Sequence, residues 1–220
     1  MKLQITVPES LSEITLEQYQ KFDKVNTTDN HNSNFLFHKT VEIFCNIDLK
    51  DIAKIRVSTV KDILSNIDGV FAEKPKLKTT FKLDDVEFGF IPDLDDMTLG
   101  EFIDLDETIT DWKTMHQAMA ILYRPVTFKK GDKYLIEEYD GIKNAEAMKR
   151  MPLDIAMGAM VFFWKLNNEL LEIILNYLEK EMDQNLTTQQ KETLEGNGVG
   201  ISLFMSLVEE MLPNSMLSQP

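Results

Sequence analysis

Apolar and polar positions change period several times along this chain, and each change predicts an element. Lys2–Val7 (KLQITV) alternates, the period of a strand, and Pro8 ends it. Glu13–Val25 (EITLEQYQKFDKV) takes up helical spacing. Thr15 is its expected N-cap, Gln18 three residues on completes a capping box, and Ile14 with Tyr19 makes a hydrophobic staple. A polar loop, Asn26–Asn34, leads to Phe35–Ile47, a helix with a broad apolar face. Asp48–Asp68 holds one or two more helices, with Asp48 and either Ser58 or Thr59 as caps.

After Gly69 the period shortens. Leu77–Pro92 reads as two strands around an Asp84-Asp85 turn, a hairpin. Ile109–Tyr123 reads as a helix that stops before Pro125. Val126–Gly141 is a second hairpin turning at Lys130-Gly131-Asp132, and Lys143–Met151 is helix or loop. Pro152–Met182 is the longest helical stretch, with Pro152 suited to its first turn. Asp183–Gly200 is polar and ends in a glycine-rich hinge, and Ile201–Met216 is a short amphipathic segment. The expected fold is α+β, mostly α-helical, with two small β-hairpins. Its expected units are 1–72, a helical unit; 73–182, a hairpin-plus-helix unit packed on it; and 183–220, the hinge and C-terminal amphipathic segment.

One phrase occurs twice. VPESLSEITLEQY (Val7–Tyr19) and IPDLDDMTLGEF (Ile91–Phe102) share an apolar residue, Pro, acids, a Thr-Leu pair, Glu or Gln, and an aromatic. In the second copy Thr98 is the cap, Glu101 closes the box, and Met97 with Phe102 is the staple. HKTVEIFC from His38 and HQAMAILY from His116 continue the likeness, but the offset is 83 residues at Thr15/Thr98 and 78 at the histidines. An imperfect duplication of a strand, Pro turn and capped-helix unit is the expectation.

Composition narrows the function classes. With 37 acidic against 23 basic residues the net charge is -14, which disfavours non-specific nucleic-acid binding across the surface. The lysines of Lys74–Lys82 (KPKLKTTFK) read as guards on a soluble edge strand rather than a basic patch. The single cysteine, Cys45, sits in an apolar run and reads as a small buried side chain. No signal peptide is expected, and the most apolar run, Ile155–Trp164, is about half of a spanning helix.

Candidate chemistry is sparse. Between Asp93 and Asp111 stand eight acids (Asp93, Asp95, Asp96, Glu101, Asp104, Asp106, Glu107 and Asp111) without a Lys or Arg. Asp93 and Asp95 alternate as calcium ligands do, but Gly100 falls too late and Leu99 stands where a ligand belongs. The acids read instead as dipole complement and solvated surface, with Phe102, Ile103 and Leu105 packing inward. Paired-carboxylate catalysis needs burial that this pattern does not predict. His31, His38 and His116 lack zinc spacing; the last two, at apolar helix starts, read as structural. GNGVG (Gly196–Gly200) lacks the Lys and hydroxyl of a phosphate loop. Arg124, one of three arginines with Arg56 and Arg150, is expected to clasp the acidic stretch. No catalytic, cofactor-binding or metal-ligating residue is assigned, and an enzyme is not expected; a metal-dependent one would have to use the acids of Asp93–Asp111. The Leu-, Met- and aromatic-rich helix after Ile155 should bury most of its sides in this chain's core.

GFIPDLDDMTLGEFIDLDETITDWKTMHQAMAILYRPV (Gly89–Val126), followed by YLIEEYDG (Tyr134–Gly141), resembles small acidic proteins encoded among the structural genes of tailed bacteriophages, in particular crAss-like phages of gut Bacteroidales. The resemblance spans roughly Leu77–Leu166. It implies one of two roles. One is a virion component, a packaged cargo or a tail or head protein; the other is a tail-assembly chaperone absent from the finished particle. The first is the expectation. It brings tail, portal-proximal or capsid proteins, and self, as partners, and the virion as location after assembly in the host cytoplasm.

Overall fold

The first phrase folds as a capped helix stitched to a distant part of the chain. The computed structural model describes residues 5–27, 33–166 and 168–169. Within it Leu11–Glu13 forms one 3-10 turn and α1 runs Leu16–Asp23. Thr15 accepts from the Gln18 N–H at 3.2 Å, and the Gln18 side chain accepts from the Thr15 N–H at 2.9 Å. Ile14 and Tyr19 are both buried. The backbone around Thr15 then bonds across the fold: Leu16 N–H to Met151 O at 2.9 Å, and Leu153 N–H to Ile14 O at 2.8 Å. So the phrase fixes the start of the last described helix.

The helices that follow are α2 (Asn34–Cys45), α3 (Leu49–Ile52) and α4 (Val57–Phe71). Ser33 caps α2, and Asn46 ends it in the left-handed region at φ 51°, where Asn is tolerated. Two expected caps differ. Asp48 stands at the N-cap of α3 but makes no capping bond and pairs with Lys50 instead. Arg56 holds the N-cap position of α4, so Ser58 and Thr59 lie inside the helix. The expected strand at Lys2–Val7 also does not form within its described part, since Ile5–Val7 is irregular backbone with no strand beside it.

The two predicted hairpins are present and join into one antiparallel sheet of order β1-β2-β3-β4. These strands are β1 (Thr80–Leu83), β2 (Val86–Phe90), β3 (Tyr123–Lys130) and β4 (Lys133–Ile136). β2 pairs with β3 across the intervening helices, Gly89 opposite Arg124. A Cβ on Gly89 would lie 2.5 Å from the Tyr134 ring, which crosses β3 to donate its hydroxyl to Phe90 O at 2.8 Å. The glycine is therefore required by that close approach. β1, with Lys82 exposed, is the guarded edge strand expected of the lysine run.

Between β2 and β3 lie α5 (Leu99–Thr108) and α6 (Met115–Leu122). The helix expected over Ile109–Tyr123 is shorter at both ends. Asp111 accepts the Lys113 N–H at 2.9 Å and the Thr114 hydroxyl donates to Thr108 O at 2.8 Å, side-chain turns that compete with helix. At the other end Tyr123 is already in β3, because Pro125 biases the preceding residue to extended backbone. α7 (Ala145–Met148) resolves the helix-or-loop segment as one helical turn. α8 covers 153–166; Leu153 and Ile155–Met157 are buried and Val161–Trp164 partly so, as its composition predicts. Residues 168–169 are helical as well; the remainder of that predicted helix, the glycine hinge and the C-terminal amphipathic segment lie outside the described residues.

A single apolar core draws on both predicted units, from Leu11 to Met160. An aromatic edge ties them, Tyr19 of α1 meeting Trp112 at 4.4 Å between centroids; within the second unit Phe90 of β2 meets Phe162 of α8 at 5.8 Å. Gln20 adds a buried polar tie, its amide donating to Trp112 O at 2.6 Å.

Candidate functional site

The acidic stretch is where sequence expectation and structure diverge most usefully. The second phrase closes its capping box as the first does: Thr98 accepts from the Glu101 N–H at 3.2 Å, and Glu101 Oε2 accepts from the Thr98 N–H at 2.7 Å. Glu101 then uses its other oxygen for Arg124, whose Nη1 lies 2.7 Å from Oε1. The two side chains are 4% and 12% exposed. The expected clasp exists, and it is buried.

Arg124 is enclosed further. Its guanidinium lies over the Tyr139 ring, 5.8 Å from the centroid, an attractive cation–π contact. The Tyr139 hydroxyl donates to Asp104. Burial raises the Tyr139 pKa, and the Asp104 carboxylate raises it further, so the phenol stays a donor. Glu101, Arg124, Tyr139 and Asp104 thus form one chain of contacts from α5 through β3 to the segment after β4.

This clasp decides which side of α5 faces inward. Glu101, Leu105 and Thr108 are buried, whereas Leu99 is 74%, Phe102 59% and Ile103 46% exposed. The inward packing expected of Phe102 and Ile103 is therefore overturned; of that trio only Leu105 is buried. So is the second staple, since Phe102 points away from the core. The physical reason is helix geometry. Glu101, Leu105 and Thr108, at i, i+4 and i+7, share one face of α5, and Leu99, Phe102 and Ile103 share another. Burying Glu101 against Arg124 together with Leu105 therefore turns the apolar stripe outward.

The remaining acids of the stretch face solvent. Asp93, Asp95, Asp96, Asp106, Glu107 and Asp111 are exposed, and Asp93 folds back to accept the Asp95 N–H at 3.0 Å. Among the described residues no three His, Cys, Asp or Glu side chains gather as a metal site would require. A groove of about 660 Å³ lies beside the clasp, lined by Pro92, Asp93, Asp96, Met97, Leu135 and Glu138 among others. A second groove, of about 840 Å³, runs between α2 and α4 and is lined chiefly by Phe37, Ile52, Ile55, Val60 and Leu64.

The other singled-out residues separate. Cys45 is buried, and burial pushes its thiol up to about 11, so it stays protonated. His38 is exposed on α2 and lines the larger groove, unlike the half-buried role expected of it. His31 and Gly196–Gly200 lie outside the described residues. Among the described residues no helix is long and apolar enough to cross a membrane.

His116 is the buried structural histidine. Gln20 Nε2 lies 3.0 Å from its Nδ1, a contact that the neutral ring makes as a hydrogen bond with Nδ1 as acceptor. Burial lowers its pKa, Lys149 lowers it further, and Glu146 opposes them. A depressed histidine binds fewer protons folded than unfolded. Its contribution to stability is therefore complete above the unfolded value of about 6.5 and is lost as pH falls through it. Lowering pH from about 7.5 to about 5 should cost the wild type more Tm than His116→Gln, read by circular-dichroism melts. Equal losses would remove His116 as the proton-sensitive group.

The structure also shows residues that motif reading passed over. Gln18 donates to Ile43 O at 2.9 Å and Gln20 to Trp112 O, both across the core. No sequence signal marked them: α1 is mostly polar, and glutamines at i and i+2 do not share a helix face. Compared with known proteins, the chain matches no family model, no curated protein and no solved structure.

Proposed function

We propose that the protein is a non-enzymatic, virion-associated protein of a tailed bacteriophage, a packaged cargo or a tail or head component. The observation that carries this reading is the outward stripe of α5. Leu99, Phe102 and Ile103 stand one helical turn apart at most, are all well exposed, and are framed by Asp95, Asp96, Asp106 and Glu107. An apolar helix stripe held outward by a buried ion pair suits a protein that docks on another protein. The frame specifies the partner's chemistry: an apolar pocket rimmed by Lys and Arg, supplied by another phage structural protein. The resemblance of Gly89–Val126 to phage structural-region proteins supports the same reading, and that segment contains the whole stripe.

Proteomics of gradient-purified particles tests it. The protein should be found at a fixed stoichiometry to the tail or capsid proteins, and Phe102→Asp should reduce its incorporation. Abundance in infected cells with absence from particles would replace this reading with the tail-assembly chaperone.

A further inference from the structure

We infer that two copies of the chain pair through the free edge of β4, antiparallel and centred on Leu135. Among the described residues β4 closes the sheet on one side, with β3 as its only strand neighbour. In its pairing with β3, Lys130 lies opposite Lys133 and Phe128 opposite Leu135. The Glu137 N–H continues that ladder to Pro125 O at 2.9 Å. The backbone groups of residues 133, 135 and 137 therefore turn toward β3, and those of Tyr134 and Ile136 turn outward.

That alternation restricts the registers open to a second copy, because outward residues must meet outward residues. Three antiparallel registers satisfy it: Tyr134 opposite Tyr134, Ile136 opposite Ile136, or Tyr134 opposite Ile136. The first sets Lys133 against Leu135, and the second sets Leu135 against Glu137. Only the third matches the chemistry. It sets Leu135 against Leu135 and Lys133 against Glu137 at both ends, all on one face.

The side chains on that face are uncovered. Leu135 is 60% and its neighbour Phe128 58% exposed, and Lys133 and Glu137 are exposed as well. Neither Lys133 nor Glu137 has an ion-pair partner among the described residues. Self-pairing would bury two Leu135 and two Phe128 side chains in one cluster, make two Lys–Glu cross-strand pairs, and form hydrogen bonds between Tyr134 and Ile136 of the two copies. A lysine on an edge strand commonly blocks such pairing; here the sequence Lys-x-Leu-x-Glu supplies its own countercharge in the partner copy.

Sedimentation of the full chain, supported by circular dichroism, tests the inference. The wild type should sediment at twice the 25.4 kDa chain mass. Lys133→Glu alone, or Glu137→Lys alone, sets like charges opposite each other at both ends. Each should raise the dimer dissociation constant roughly tenfold or more. The double exchange Lys133→Glu/Glu137→Lys restores both attractions and should restore the dimer. A monomeric wild type at its highest soluble concentration overturns the inference, and so does a dimer that both single variants leave unchanged. Failure of the double exchange to rescue pairing overturns the assigned register. None of these outcomes depends on the protein being part of a phage particle.

Discussion

Replacing Arg124 with methionine should lower the free energy of unfolding by roughly 3–5 kcal/mol, because it leaves the Glu101 carboxylate buried without a countercharge. Methionine preserves most of the arginine stem's packing, so the loss reports the charge. Removing the other partner by Glu101→Gln strands the guanidinium instead and should also destabilise, though Gln can still close the capping box with Thr98. The decisive construction is the double variant, Arg124→Met with Glu101→Gln. With neither charge left in the site, it should be more stable than Arg124→Met alone by about 1 kcal/mol or more. Urea denaturation of the four proteins gives the coupling directly. Additive losses in the double variant would show that the two side chains do not act as a pair. The clasp also orients α5, so Arg124→Met should increase the hydrogen exchange of its amides beyond the general loss of stability.

Much of this arrangement is legible in the residues alone, because it is local. A capping box is a three-residue relation, and both Thr15-x-x-Gln18 and Thr98-x-x-Glu101 fold as their letters predict. The same holds for the hairpin turns at Asp84-Asp85 and Gly131-Asp132, where Asp84 and Gly131 take positive φ. The pairing of a lone arginine with a long acidic stretch follows from charge alone, although which acid it chooses does not.

What could not be read depended on competition between distant residues. Helical spacing alone placed Phe102 and Ile103 inward; their outward face follows from Arg124, some twenty residues away on another element. The joining of two hairpins into one sheet needed Gly89 to admit the Tyr134 ring, a contact between residues 45 apart in sequence. The repeated phrase has the same internal device in both copies but different surroundings. The first is bonded into the start of α8 through Ile14 and Leu16, whereas the second hands its Glu to Arg124. His38 and His116, which share a short motif, likewise end in opposite environments, one exposed and one buried.

Gly158→Ala should destabilise the protein by about 1–3 kcal/mol, whereas Gly69→Ala should stabilise it by roughly 0.5–1 kcal/mol. Both glycines lie inside helices, where alanine is ordinarily the better residue by helix propensity. At Gly69, on α4, a Cβ would meet nothing within 4 Å, so the propensity gain is realised. At Gly158, on α8, it would lie 2.4 Å from Lys76 O and 2.9 Å from Lys76 C. Both atoms are backbone, so the clash cannot be relieved by a rotamer. The strap carrying Lys76 is itself held immediately after that point. The Tyr123 hydroxyl donates to Lys78 O at 2.8 Å, Lys78 Nζ sits 2.5 Å from Asp154, and Thr79 O accepts the Phe90 N–H at 2.8 Å. Moving the strap to admit a methyl group would strain these bonds and separate β1 from α8. Thermal and urea denaturation of the two variants should therefore move in opposite directions. A Gly158→Ala protein as stable as Gly69→Ala would mean that α8 and the strap do not make this approach.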